Sequence, residues 1–339
     1  MLKAKYFILL ICFSFLLKTE AKVTLTSIWG DNMVLQQQSE VTFSGTATLG
    51  KRVQATASWN NKKIQTNVDA KGEWKLSLQT PVAGGPYSIT FSDGEDLTLQ
   101  NILIGEVWFC SGQSNMELPM SRVKDRFPED VKDCKNTQIR TFKIRENGVF
   151  TAPLTEPESG EWKSAQPETI LEFSATGYYF AKALQELLKV PVGFIDASLG
   201  GSLIESWMSR EMLNGMTEEL ALAKKYSDAA FVKGQLLKNE QQSNAWHARL
   251  DAADQGLAGH WEEEGCNSEN WGMVTVPFRF DEVEELKGFI GSVWLKRTFT
   301  VPKEMAGKPA KLWLGTIVDS DVAYVNGEQV GITYYQYPP

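Results

Sequence analysis

The stretch FCSGQSNMELPM, Phe109 to Met120, closes a very apolar run with a glycine turn and sets a serine and an asparagine just beyond it. A hydroxyl thrust out at the carboxyl end of a strand is placed to act as a nucleophile, because backbone N–H groups past the strand end can hold a developing oxyanion. Ser, Gly and Asn after a strand are also ordinary turn and cap residues, so alone this signal is weak. The nucleophile elbow of the α/β-hydrolase fold requires G-x-S-x-G. Met116 stands where its last glycine belongs, which disfavours that fold.

A second turn of the same kind lies further on. Thr176 to Lys189 carries apolar residues at helical spacing, Val190-Pro191 stops that helix, and VGFIDAS reads as a buried strand. Gly200-Gly201-Ser202 then precedes the helix-like LIESWMSR. Helix, strand, glycine turn, helix is the unit that builds parallel sheets. A glycine at such a turn lets a backbone N–H come close to a substrate oxygen, and two such turns at neighbouring strand ends can form one pocket. Glu205 reads as a first-turn acid favoured by the helix dipole and as a candidate substrate contact, Trp207 as a packed aromatic.

Around this centre the texture changes twice. From Val23 to about Ile104 short alternating runs such as VQATASW and WKLSL are separated by Asn60-Asn61, Lys71-Gly72, Gly84-Gly85-Pro86 and Asp93-Gly94, which predicts a small β-sandwich over 22–104. The second domain, 105–256, begins at Gly105, and its part from Ser206 onward is polar and helix-prone. Over 257–339 the pattern turns to β again, with SVWLKRTFTVP, AKLWLG and the Asn326-Gly327 hairpin signal. That makes three or four strands, too few to close a sandwich, so the domain is expected to be cut off in mid-fold.

With 339 residues, 42% hydrophobic and 22% charged, the chain suits two or three folded domains. A net charge of −8 and a pI near 5.1 leave no basic stripe for nucleic acid. Lys3 and Lys5 ahead of an apolar core from Tyr6 to Leu17, followed by Thr19 and Ala21, read as a secretion signal over 1–21. That core is shorter than the ~20 residues a bilayer span needs, so a secreted or periplasmic protein without a membrane anchor is expected. Cys110, Cys134 and Cys266 allow one disulfide. No C-x-x-C spacing occurs, and two histidines give too few ligands for zinc, so no metal or cofactor is expected.

The runs GEVWFCSGQSNMELPM and DASLGGSLIESWMS, with IWGDNMVLQ (Ile28 to Gln36) ahead of them, resemble the sialate O-acetylesterases, a branch of the SGNH hydrolases. The resemblance implies an α/β SGNH-type catalytic domain, flavodoxin-like and three-layered. It is preceded by the β-sandwich and interrupted by an inserted jelly-roll β-domain, to which WLKRTFTVP and YVNG correspond. It implies removal of acetyl esters from sugars, with Ser114 as nucleophile and an oxyanion hole built from its own N–H and that of Gly200 or Gly201. Gln113, Asn115 and Glu205 become substrate-side residues.

The chain departs from the SGNH pattern in two places, a Gly-x-Asn loop and a late Asp-x-x-His. Asn244 and Leu257 stand three residues before His247 and His260, so neither histidine completes the latter motif. The expectation is an incomplete enzyme, poorly active alone, whose missing half lies on further sequence or a second chain. Two other readings stay open: an acetylxylan-type esterase, and a non-catalytic glycan-binding protein.

Overall fold

The computed structural model describes residues 23–145, 147–315, 317–318 and 320–334, so the leader-like stretch 1–21 lies outside the described residues. The chain forms two compact units that divide after Ala229.

The first unit begins with β1 (Thr24–Leu25), β2 (Val34–Gln36), β3 (Glu40–Thr46), β4 (Arg52–Ala57), β5 (Lys63–Asn67), β6 (Glu73–Gln79), β7 (Gly84–Ser92) and β8 (Asp96–Gly112). Alternation decides which face turns inward: Val53, Ala55 and Ala57 of β4 and Trp74, Leu76 and Leu78 of β6 are buried, while their neighbours are more exposed. A three-stranded sheet, β1-β3-β6, and the antiparallel part of a larger one share this core. Phe91 meets Phe43 at 5.3 Å and Trp74 at 5.5 Å between ring centroids.

The larger sheet does not stop where the sequence texture changes. Its order is β10-β9-β11-β8-β7-β4-β5, with β2 also on β8, where β9 is Asn136–Lys143, β10 is Trp162–Ala165 and β11 is Val192–Ser198. β8 is 17 residues long, about three times an ordinary strand. Its first part pairs antiparallel with β7, and its last seven residues pair parallel with β11. Gly105 thus lies inside one strand that carries both textures.

Short helices α1 (Ser114–Glu117), α2 (Met120–Val123) and α3 (Pro128–Lys132) come after β8, and α4 (Ala175–Leu188) packs on the parallel part of the sheet over Phe173, Tyr178, Ala181 and Phe194. Ser174 caps α4 by accepting the Gly177 N–H at 3.0 Å, and Lys189 ends it in the left-handed region. Arg140 of β9 ties the two regions of the unit together. It is 2% exposed, and its guanidinium donates to the carbonyls of Asn32, Asn101 and Thr137. Burial lowers its pKa to about 10.

The first unit closes with α5 (Thr217–Tyr226). In the second, α6 (Ala229–Ala253), whose first residue is the last of the first unit, and α7 (Gln255–Ala258) precede a long irregular stretch and the hairpin β12 (Asp321–Val325) and β13 (Glu328–Thr333). Asn326 and Gly327 both have positive φ, as the hairpin signal predicts. The other expected strands do not form: SVWLKRTFTVP and AKLWLG carry no ladder among the described residues. An alternating pattern makes a strand only when a neighbour closes its backbone hydrogen bonds, and among the described residues none pairs with these. The three cysteines of the described residues are free, so the disulfide left open by the sequence is not formed.

Candidate active site

Parallel register brings the two turns together. Gly112, the last residue of β8, lies opposite Ser198, the last residue of β11, and the Leu199 N–H donates to the Gly112 carbonyl at 2.9 Å. The serine turn after β8 and the glycine turn after β11 therefore emerge side by side.

Beyond β8 the chain makes the single helical turn α1, closed by Met116 and Glu117 N–H groups donating to the Gln113 carbonyl. Ser114 is exposed at its start. The segment behind it is stapled to the start of α4. The Ser174 hydroxyl donates to the Met116 carbonyl, the Met120 N–H donates to the Phe173 carbonyl at 2.8 Å, and the Ala175 N–H donates to the Leu118 carbonyl at 2.7 Å. A backbone held at so many points gives the serine a defined position.

Beyond β11, Gly200 backs onto Ser114: a Cβ built on Gly200 would lie 3.7 Å from both Cα and Cβ of the serine. The Gly200 N–H donates to Glu117 Oε2 at 2.5 Å. Gln113 spans the same gap, its Nε2 donating to the Ser202 carbonyl at 3.0 Å. Asn115 is exposed, and its carbonyl accepts the Thr176 hydroxyl. Glu205 sits on a 3-10 turn, Ile204–Trp207, and its side chain makes no hydrogen bond to Ser114 or Gly200 among the described residues. The Trp207 indole donates to the Ser202 hydroxyl.

Two acids near this centre were not singled out in the sequence. Glu117 comes three residues after Ser114, the spacing that puts side chains on one side of a helical turn. Asp196, on β11 opposite Cys110, is 1% exposed and accepts the Ser198 hydroxyl at 2.5 Å. Burial raises its pKa, an effect to which the Glu117 charge adds, while the Ser198 hydroxyl and Lys143 oppose it. The same burial, with Asp196 nearby, raises that of the Cys110 thiol, which disfavours its reactive thiolate form. A charged residue in the otherwise apolar run VGFIDAS was the available signal for Asp196.

No hydrogen bond joins the Ser114 hydroxyl to a base among the described residues. His247 lies in α6, exposed, and His260, also exposed, sits 3.2 Å from a Glu262 oxygen. No cluster of His, Cys, Asp or Glu among the described residues suits a metal ion.

A serine turn and a glycine turn at the ends of adjoining parallel strands, with a helix on the sheet face, define an α/β domain of the hydrolase-like kind. Residues 104–251, which contain both turns, match the family described as carbohydrate esterase, sialic acid-specific acetylesterase. The sialate O-acetylesterase of Mus musculus is 27% identical over 198 residues, covering 53% of this chain and 36% of that protein. A crystal structure of a carbohydrate acetylesterase from Xanthomonas citri superposes with a TM-score of 0.53 at 34% identity, covering 57% of this chain and 43% of that one. A β-glucuronidase of Paenibacillus borealis is 28% identical over 91 residues, covering 26% of this chain and 15% of that protein. The chain spans about a third of the length of the curated esterases it matches.

Proposed function

We propose that this chain carries the nucleophile-bearing part of a secreted esterase that removes O-acetyl groups from sialic acid or a related acetylated glycan. One observation carries the reading: exposed Ser114 stands at the end of β8 against Gly200 at the end of parallel β11. Ser114 attacks the acetyl carbonyl, N–H groups of the two turns take the oxyanion, and Gln113, Asn115 and Glu205 face the sugar. The histidine and its partner acid come from residues outside those described, on further sequence or a second chain. The leader-like start supports secretion. The SGNH layout, with a leading β-sandwich and an inserted jelly-roll, is the finer fold reading that the two-layered β region and the β12–β13 hairpin support.

A serine hydrolase without its base loses about 10⁴ to 10⁶ in kcat. The test therefore supplies a base: acetate release from an aryl acetate, O-acetylated sialic acid and acetylated xylan is measured with and without added imidazole. Turnover above that of Ser114→Ala, stimulated by imidazole and fastest on the sialic acid ester, is expected. Identical rates for the two proteins on every ester would remove Ser114 from the mechanism and leave the glycan-binding reading. Preference for xylan would move the substrate class.

A further inference from the structure

Gly200 and Gly201 are glycines for different reasons. Gly201 has φ +76, a conformation side chains rarely adopt, and nothing lies within 4 Å of a Cβ built there. Gly200 has no positive φ to require a glycine. What excludes a side chain there is space: a Cβ at 200 would sit 2.5 Å from Glu117 Oε2. The same oxygen accepts the Gly200 N–H at 2.5 Å, a contact spanning 83 residues of sequence. A carboxylate accepting a backbone N–H makes a charge-assisted bond, stronger than a neutral one. The glycine makes room for the acid, and the acid holds the glycine's backbone.

We propose that Glu117 is a positioning residue, a latch that seats the Gly200 turn beside Ser114. It spends the Gly200 N–H in doing so and leaves the Gly201 N–H, with that of Ser114, for the substrate oxygen. The assignment of donors rests on the reading of Ser114 as nucleophile; the latch itself does not. Asp196 of β11 senses the Glu117 charge, and Lys143 of β9 acts on Asp196 in the opposite direction. Replacing Glu117 therefore changes the charge facing Asp196 as well as the turn.

Three measurements on the chain test the latch. In the spectrum of ¹⁵N-glycine-labelled protein, the Gly200 amide proton is expected far downfield, as an N–H donating to a carboxylate is. Glu117→Gln, whose amide oxygen can accept the same N–H, keeps most of the downfield position, and Glu117→Ala loses it. In thermal unfolding, Gly200→Ala is expected to lower Tm when Glu117 is present and to be nearly neutral in Glu117→Ala, a coupling read by a double-mutant cycle. In imidazole-assisted turnover, Glu117→Ala is expected to cost about tenfold to a hundredfold in kcat, as small misplacements do, with most activity retained in Glu117→Gln. A Gly200 amide indifferent to residue 117, or additive effects in the cycle, would overturn the latch. Equal turnover by the parent chain and Ser114→Ala would instead sink the nucleophile reading, while the amide and the cycle still decide the latch.

Discussion

Asp196 shows how one buried side chain ties pH to the site. Its pKa lies above 3.8 chiefly because burial penalises the charged form, so the folded protein keeps a proton that the unfolded chain has already released. Its stabilising effect is complete below the unfolded value and is lost as pH rises through the folded one. Asp196→Asn keeps an acceptor for the Ser198 hydroxyl and removes the titration. Denaturant unfolding followed from pH 3 to 8 should then show the parent losing stability relative to the Asn variant, while Asp93 and Asp130, whose pKa values are lowered, titrate alike in both. The Asn variant should become the more stable of the two by on the order of 1 kcal/mol. Parallel curves would refute this role for Asp196. At this scale the sequence marked the two turns that hold Ser114 and Gly200-Gly201, which the structure sets side by side, because strand-end serines and paired glycines carry a local signature. Glu117 and Asp196 escaped notice because what matters in them is a partner distant in sequence or a depth in the core, and neither shows in neighbouring residues.

Elements whose neighbours are close in the chain were legible from pattern. VGFIDAS forms the strand Val192–Ser198 and the helix expected over Thr176 to Lys189 runs Ala175–Leu188, because core face, cap and proline stop are all local. The join between α4 and the serine turn was not legible, and Ser174 makes it. It is 1% exposed, accepts the Gly177 N–H as the cap and donates to the Met116 carbonyl behind Ser114. Ser174→Ala removes both bonds and leaves a carbonyl without its donor, for an expected loss of about 1–2 kcal/mol in urea unfolding. Ser174→Thr, which can cap, should recover part of it. On the proposed role of Ser114, the effect should also lower imidazole-assisted turnover, since the serine turn is held through Met116. An alanine variant as stable as the parent would show that the cap carries no weight.

Across the whole molecule, burial separates the two units. Residues 23–229 contain Phe43, Phe91, Phe142, Phe173 and Phe194 at 1% exposure or less, each worth about 1.5–3 kcal/mol of transfer free energy. Among the described residues of 230–334, Gly256 alone is buried, while Met273, Ile290 and Trp313 are 96%, 80% and 82% exposed. What order that unit has centres on Asp254, which accepts the Gly256 and Leu257 N–H groups and the Trp294 indole, with Trp294 against Trp261 and Tyr324. Regions with few buried apolar contacts open at low free-energy cost, and cleavage tracks the open population. Brief chymotrypsin digestion should therefore cut first between about Met273 and Trp313, at positions identified by mass spectrometry of the fragments. The aromatic-rich stretch from Phe43 to Trp108 should resist, although it offers the protease as many large side chains. First cuts there would mean that the shared core of the β sheets is not the stable centre of the chain. A later β-rich segment or second chain that pairs with SVWLKRTFTVP would give those apolar residues a covered face, and its addition should slow the early cuts without changing the resistant fragment.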